Sequence, residues 1–377
     1  MIRVIVVGNG MVGYKFCEKL RSIPQSGNFE VVVYGEEPRP AYDRVHLSSY
    51  FSGATADDLL LAPVSWYSEN QIELHTSELV TRIDREKKVI YTHNGREDRY
   101  DYLVLATGSS AFVPAIDGVE KQGVFIYRTI EDLDQIMAYG KKVISAAVMG
   151  GGLLGLEAAK ALLDLGLDTH VVEFAPRLMP RQIDEAGSEV LAHKLSQLNL
   201  KIHLSKSTKQ IEGNGKLTGL LFTDDTRLDV EMLVISAGIR PRDELAKTCG
   251  LPVHERGGII VNNQMRTSDA HIFAIGEAAC YNNMIYGLVA PGYEMAEVVV
   301  NQHQNDGSRE FTGFDMSTKL KLIGVDVGSF GNPFADEPES IPIVFKDKRK
   351  SIYKRINISA DGRHLLGGIL IGDASQY

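Results

Sequence analysis

The feature that most restricts this chain is a pattern that occurs twice: strand, glycine turn, helix, strand, acid. The first copy opens the sequence, Ile2-Arg-Val-Ile-Val-Val-Gly8-Asn-Gly10-Met-Val-Gly13. The β-branched run Val4–Val7 predicts a fully buried strand of a parallel sheet. It breaks at Gly8 and passes into a stretch where Val12, Phe16 and Leu20 recur four apart, which is helical spacing. In such a G-x-G-x-x-G, Gly8 permits the tight turn, Gly10 lets a pyrophosphate approach the backbone, and Gly13 lets helix and strand pack closely. The amides at the helix N-terminus then face phosphate. A second strand, Val31–Tyr34, ends at Glu36, near the spacing of an acid that binds an adenosine ribose.

The second copy lies near the middle of the chain. Val143–Met149 predicts a strand, Gly150-Gly-Gly152-Leu-Leu-Gly155 the turn, and the Ala/Leu-rich stretch Leu156–Leu165 a helix. The next strand, Thr169-His-Val-Val-Glu173, again ends on an acid at the ribose-binding distance. One glycine turn is weak evidence, but two complete units point to two dinucleotide sites. The Glu173 carboxylate can accept hydrogen bonds from ribose hydroxyls and would repel a 2′-phosphate, which favours NADH over NADPH. Arg177 and Arg181, just beyond, would offset part of that repulsion.

Between and after these units the chain reads as α/β. Glu37–Ser49 is a Pro-rich loop entering a short helix, with Arg44 placed to clamp a pyrophosphate or to pair with Asp43. Segments Ile72–Leu79, Val80–Asp84 and Val89–His93 read as strands, with Asn94-Gly95 a hairpin turn. Tyr102–Leu105 is a further buried strand ending in the small-residue turn Ala106-Thr107-Gly108, and Leu233–Ser236 ends similarly in Ala237-Gly238. Short strands follow at Gly258–Val261 and within Thr267–Glu277, and a helix opens in Ala290–Ala296. From Phe311 the pattern turns to alternating strands and turns, a separate β-rich domain. Lys346–Arg355 is locally basic, as a solvated strand edge protected from aggregation would be, or else a docking surface for an acidic electron-transfer partner.

At 377 residues more than one core is expected. A net charge of −9 argues against nucleic acid or an anionic membrane as the main partner. No apolar run approaches the length of a membrane span, and Lys15, Glu18 and Lys19 follow the opening strand too closely for a signal peptide. Cys17, Cys249 and Cys280 form no C-x-x-C pair and are too few for a four-ligand zinc or iron–sulfur site. The expectation is free thiols in a reducing cytoplasm and no metal.

Taken together these motifs resemble the pyridine-nucleotide:flavin oxidoreductases with two dinucleotide-binding domains. The resemblance implies FAD on the first glycine unit (Gly8, Gly10, Gly13, Glu36, with Arg44, Val80 and the turn Ala106, Thr107, Gly108) and NAD(P)H on the second (Gly150, Gly152, Gly155, Glu173, with Arg181 and Gly238). It further implies Gly276 and Glu277 at the flavin ribityl chain, where the family carries Asp, Arg128 beside the flavin, and Glu157 near the nicotinamide. The implied domains are 1–115 with 240–310 for FAD, 116–239 for NAD(H), and 311–377 for the β-rich end.

Within that family the chain is most similar to the flavoprotein part of NAD(P)H-dependent nitrite reductase large subunits. Gly35–Ser48, Pro176–Pro180, Met284–Tyr293, Met316–Val327 and Leu365–Ala374 carry the likeness. It implies hydride transfer from NADH to FAD, then electrons to an iron–sulfur or sirohaem centre in another domain or protein, with a homodimer compatible. The cysteine-rich region of those subunits is absent here, so nitrite reduction by this chain alone is not expected. The cysteines of disulfide reductases and of coenzyme A disulfide relatives are also missing, the latter near His46–Ser49. His46 reads as a loop histidine, and no residue is assigned as a general acid or base. The alternatives are a rubredoxin or ferredoxin reductase, and an NADH-responsive flavoprotein sensor.

Overall fold

A computed structural model describes residues 1–302, 308–334 and 340–377, with nothing taken from the side chains of residues 320–322. Parts of the implied first and third domains, 303–307 and 335–339, lie outside the described residues. The chain divides into two compact units: 1–47, 55–110 and 239–314 form one, and 48–54, 111–238 and 315–377 the other.

The first unit is built on a five-stranded parallel sheet in the spatial order Ile272–Ala274, Tyr102–Leu105, Ile2–Val7, Phe29–Tyr34, Ile72–His75. Val4–Val7 and Val31–Tyr34 are buried on both faces, which is why they read as unbroken apolar runs. Helices Met11–Ser22 and Val289–Asn301 pack together through Val12, whose Cγ2 would lie 2.6 Å from a Cβ at Gly292. An antiparallel meander, Val80–Asp84, Val89–Thr92 and Glu97–Arg99, completes the unit, with its turn at Gly95 (φ +82°). The strand expected over Ile72–Leu79 is shorter than the sequence suggests. It stops at His75 because Ser77 takes φ +52° and the Glu78 amide turns back to the Gly35 carbonyl. The strand sought within Thr267–Glu277 likewise contracts to Ile272–Ala274.

The second unit repeats the parallel sheet in the order Lys201–His203, Asp168–Val172, Ser145–Met149, Met232–Ile235, Val124–Ile126. It adds a three-stranded antiparallel sheet and, at its end, a five-stranded antiparallel sheet. In that last sheet Ser340–Asp347 is an edge strand, and the basic stretch runs from its end around the turn into Ile352–Ser359. Lys346 on this edge pairs with Glu189 at 3.0 Å. In both parallel sheets the glycine-unit strand is central, its successor lies to one side, and the order reverses on the other. The crevice at the carboxyl ends of such strands is where ligands bind in open α/β sheets.

Candidate functional site

The three glycines of each motif meet different surroundings. A Cβ on Gly8 would lie 2.2 Å from the Ala106 carbonyl oxygen, and one on Gly13 would lie 2.1 Å from that of Gly8. On Gly10 it would meet no atom within 4 Å. The second unit repeats this: 2.2 Å from Ser236 O at Gly150, 2.0 Å from Gly150 O at Gly155, and nothing within 4 Å at Gly152. The outer glycines are therefore demanded by packing and by backbone (φ +110° at Gly8, +121° at Gly150), whereas the middle ones keep the main chain open to a ligand.

Both helices behind these turns begin in the same way. Met11–Ser22 and Leu153–Asp164 each have glycine at the N-cap, no side-chain cap and no acid in the first turn. Their amide ends carry partial positive charge that nothing in the local sequence neutralises, which suits a pyrophosphate.

In the first unit the turn after Tyr102–Leu105 is tied to a distant segment. The Thr107 hydroxyl donates to the Arg242 carbonyl at 2.6 Å, and the Arg242 amide donates to Gly108 O at 2.9 Å. The Arg242 guanidinium then grips the carboxylate of Glu36 through both of its terminal nitrogens, one bond at 2.6 Å. The hydrogen bonds from Arg242 hold the Glu36 carboxyl below the usual carboxylate range. Arg242 was not among the residues the sequence pointed to. Arg44 pairs with Glu37 rather than Asp43 and lies 4.7 Å over the Tyr42 ring, while Asp43 takes the exposed His46 at 2.6 Å. Gly276 (φ +71°) opens a short 3-10 turn with Glu277, and Ser109 donates to Glu277 Oε2 at 2.6 Å. Val80 is buried in this unit's core, so its backbone rather than its side chain is what a ligand there would meet.

In the second unit Glu173 is 4% exposed. Its Oε2 accepts from the Gly151 amide at 2.6 Å and its Oε1 from the Ala175 amide at 2.8 Å. Two main-chain donors thus fix a carboxylate beside the open Gly152, with lone pairs left for ribose hydroxyls. The Glu173 amide in turn donates to the His203 carbonyl at 2.8 Å. The His203 ring sits 2.9 Å from the His170 Nδ1, and burial pushes both imidazoles below their usual range. Gly238 (φ +118°) closes the turn equivalent to Gly108, accepting from the Phe112 amide at 2.9 Å. Arg181 is exposed, whereas Arg177 turns to the Pro180 carbonyl at 3.1 Å. Glu157 is half-buried on the helix behind Gly155, close enough to Tyr127 to help burial hold that phenol above its usual range. Arg128 precedes a helix, Ile130–Gly140, that begins with a Thr129/Asp132 capping box, and its amide donates to Asp132 at 3.1 Å.

Two doubly wound parallel sheets, each with an open glycine turn and an acid at the next strand end, define a two-nucleotide flavin oxidoreductase fold. The chain belongs to the pyridine nucleotide-disulphide oxidoreductase family, whose model matches residues 2–304, and residues 317–377 match the rubredoxin NAD+ reductase C-terminal domain. It is 47% identical over all its length to the nitrite reductase (NADH) large subunit of Escherichia coli, and 49% identical over 99% of its length to the nitrite reductase [NAD(P)H] large subunit of Klebsiella oxytoca. It spans 44% and 39% of those two proteins, less than half of either. Among solved structures, a ferredoxin reductase from Rhodopseudomonas palustris superposes with a TM-score of 0.89 at 24% identity, covering all of this chain and 92% of that one. Flavin and pyridine-nucleotide binding follow at the level of the family. No helix among the described residues is long and apolar enough to cross a membrane.

Proposed function

We propose that this chain is the flavoprotein module of a nitrite-reductase-type system, taking hydride from NADH onto FAD and passing electrons to an iron–sulfur or sirohaem centre. In this reading residues 1–115 and 240–310 hold FAD, 116–239 hold NADH, and 311–377 form a third domain. The observation that carries it is the repeated geometry of Gly10 and Gly152, each open to a ligand between two glycines that no side chain could replace. The likeness to nitrite reductase large subunits over the whole chain supports the choice of system.

Bound FAD would supply acceptance of a hydride, with release of its two electrons one at a time and of the accompanying proton to solvent. The protein's own work is binding and orientation. The first helix N-terminus and Gly10 receive the FAD pyrophosphate, Glu36 the adenosine ribose, and Glu277 the ribityl chain. Gly152 and the second helix N-terminus receive the NADH pyrophosphate, and Glu173 its adenosine ribose. A 2′-phosphate brought to the same place would meet a buried carboxylate, so NADH is preferred to NADPH. Glu157 and Arg128 orient the nicotinamide and flavin rings. The acceptor lies in a cytoplasmic partner domain or protein.

The test is an anaerobic titration of the purified, FAD-loaded protein by NADH and by NADPH in a stopped-flow spectrometer. The expected outcome is rapid bleaching of the flavin band by NADH and slower bleaching by NADPH. A protein that takes up no FAD when supplied with it sinks the reading.

A further inference from the structure

The five-stranded antiparallel sheet at the end of the chain has two unlike faces. Residues opposite one another across a ladder share a face, and along each strand the faces alternate. Tyr353, Arg355 and Asn357 of the strand Ile352–Ser359 stand on one face, with Val344 and Lys346 of the edge strand Ser340–Asp347 beside them. That face is packed on the helix Glu185–Ser196. Tyr353 and Arg355 donate to Asp184 at its N-cap, and a Cβ on Gly187 would lie 3.3 Å from the Tyr353 ring. The other face carries Ile341, Ile343 and Phe345, then Ile358 and Ile356 across the ladder, then Leu365 opposite Ile358. Ile341 is 46% exposed, Ile343 50%, Phe345 55% and Leu365 60%, and Ile356 and Ile358 are half-buried. Lys354, set among them, is held by Asp373 at 2.7 Å and Gln376 at 2.9 Å. An antiparallel sheet with one face on the core ordinarily turns polar residues to water on the other. Apolar residues scattered over a surface need no explanation, but six gathered on one face of one sheet do.

We propose that this outer face is where two copies of the chain meet, sheet packed on sheet about a two-fold axis. The inference does not depend on which nucleotides the parallel sheets bind. The open patch is on the order of 500 Å² per copy, the size that marks an interaction site. Two such patches laid together remove about 1,000 Å² from water, where specific interfaces begin. A second copy suits the patch better than a charged redox carrier does. Lys354 is neutralised by Asp373, and Lys346 lies on the opposite face and pairs with Glu189, so neither is left to attract an acidic protein. Two-fold packing sets apolar against apolar and closes after two copies. With the strands of the two sheets antiparallel, the basic turns at 348–350 fall at opposite ends of the contact. Pairing through the outer edge of Ser340–Asp347 is the poorer arrangement, because Pro342 takes a donor out of that strand.

The test is sedimentation velocity of the purified full chain across a wide range of concentration, in wild type and in Ile343→Lys, Phe345→Ser and Val344→Lys. Wild type is expected to show a reversible equilibrium between the 41.5 kDa chain and a species of twice that mass. Ile343→Lys and Phe345→Ser are each expected to weaken the dimer at least about tenfold, as loss of an apolar anchor at an interface does. Val344, 55% exposed on the other face of the same strand, is the control, and Val344→Lys is expected to leave the dimer unchanged. All three side chains are exposed, so thermal melting of the variants at a concentration where wild type is monomeric should match wild type. A wild type that stays monomeric at every concentration overturns the inference, as does a dimer that survives both Ile343→Lys and Phe345→Ser. Loss of the dimer in Val344→Lys would assign the contact to the strand edge and overturn the packing of face on face.

Discussion

Gly152 and Gly155 stand three residues apart, yet a methyl group would act on different properties at each. At Gly152 the backbone is extended and an added Cβ meets nothing, so Gly152→Ala should fold normally and lose NADH binding by at least about tenfold through steric exclusion of the pyrophosphate. At Gly155 the same atom lies 2.0 Å from the Gly150 carbonyl, and overpacking of this kind costs about 1–3 kcal/mol. Thermal melts and nucleotide titrations of the two variants should therefore separate, with Tm falling only for Gly155→Ala. Arg242 makes a second residue-scale case. Its hydrogen bonds lower the Glu36 carboxyl, so the carboxylate proposed to hold the ribose is ionised above its ordinary pKa and is lost only as pH falls through the depressed folded value. Removing the guanidinium in Arg242→Ala returns Glu36 toward its ordinary range. FAD should then leave the variant at a higher pH than wild type during stepwise acidification, read as flavin absorbance in the filtrate. Release at the same pH would show that Arg242 does not support the site. Arg242 was illegible in the sequence because it stands 206 residues from Glu36, and no local period or motif reports a pairing across that distance.

The elements that were legible are those whose residues obey a local rule. Glycine turns need left-handed or close-packed backbone, and fully buried parallel strands need unbroken β-branched runs, so Val4–Val7 and the motifs after them declare themselves. The strand at 72–79 misled because Ile72 and Leu74 open an alternating pattern that positive φ at Ser77 interrupts. The Thr129-x-x-Asp132 cap also obeys a local rule, a hydroxyl followed three residues later by an acid. What local rules could not foretell is how one element holds another. Asp184 caps helix Glu185–Ser196 by accepting from Gly187, and its other oxygen takes Tyr353 at 2.6 Å and Arg355 at 2.8 Å from the C-terminal sheet. Burial raises the Asp184 carboxyl, but the bonds from Tyr353, Arg355 and Gly187 outweigh it and leave the group below its usual range. A depressed folded pKa contributes stability above the unfolded value of about 3.9 that disappears as pH falls through the folded one. Both Asp184 and Arg355 are only 16% exposed, so Asp184→Ala should cost about 3 kcal/mol by leaving an unpaired, poorly hydrated guanidinium. Urea unfolding near neutral pH should show that loss. Below about pH 4 the gap between variant and wild type should narrow, because the aspartate of the unfolded chain binds a proton there while the folded carboxylate stays ionised until its own lower value is reached. A gap constant down to pH 2 would contradict the assignment.

On the scale of the whole molecule, electrons taken from a pyridine nucleotide need a way out of the chain. The chain has three cysteines, and they stand far apart in sequence. Burial pushes the Cys17 thiol up to about 12, and raises Cys249 and Cys280 as well, so none is poised as a thiolate for redox or cluster chemistry at neutral pH. An iron–sulfur cluster needs about four thiolates brought to one place, which these residues do not supply. The chain also spans less than half of the nitrite reductase large subunits it matches, which leaves most of their length to carry other functions. The module should therefore act as a diaphorase. With NADH under anaerobic conditions it should reduce ferricyanide or a small iron–sulfur protein over many turnovers, and nitrite concentration in the same mixture should not fall. Nitrite consumption in proportion to NADH oxidised would place the second half of the reaction in this chain and overturn that division of labour. Ferricyanide reduction slower than flavin loss would instead favour a sensor, in which reduction changes assembly and turnover is incidental. Following flavin absorbance, nitrite and oligomeric state in one NADH titration distinguishes the three outcomes, since only the diaphorase predicts turnover without nitrite loss and without a change in mass.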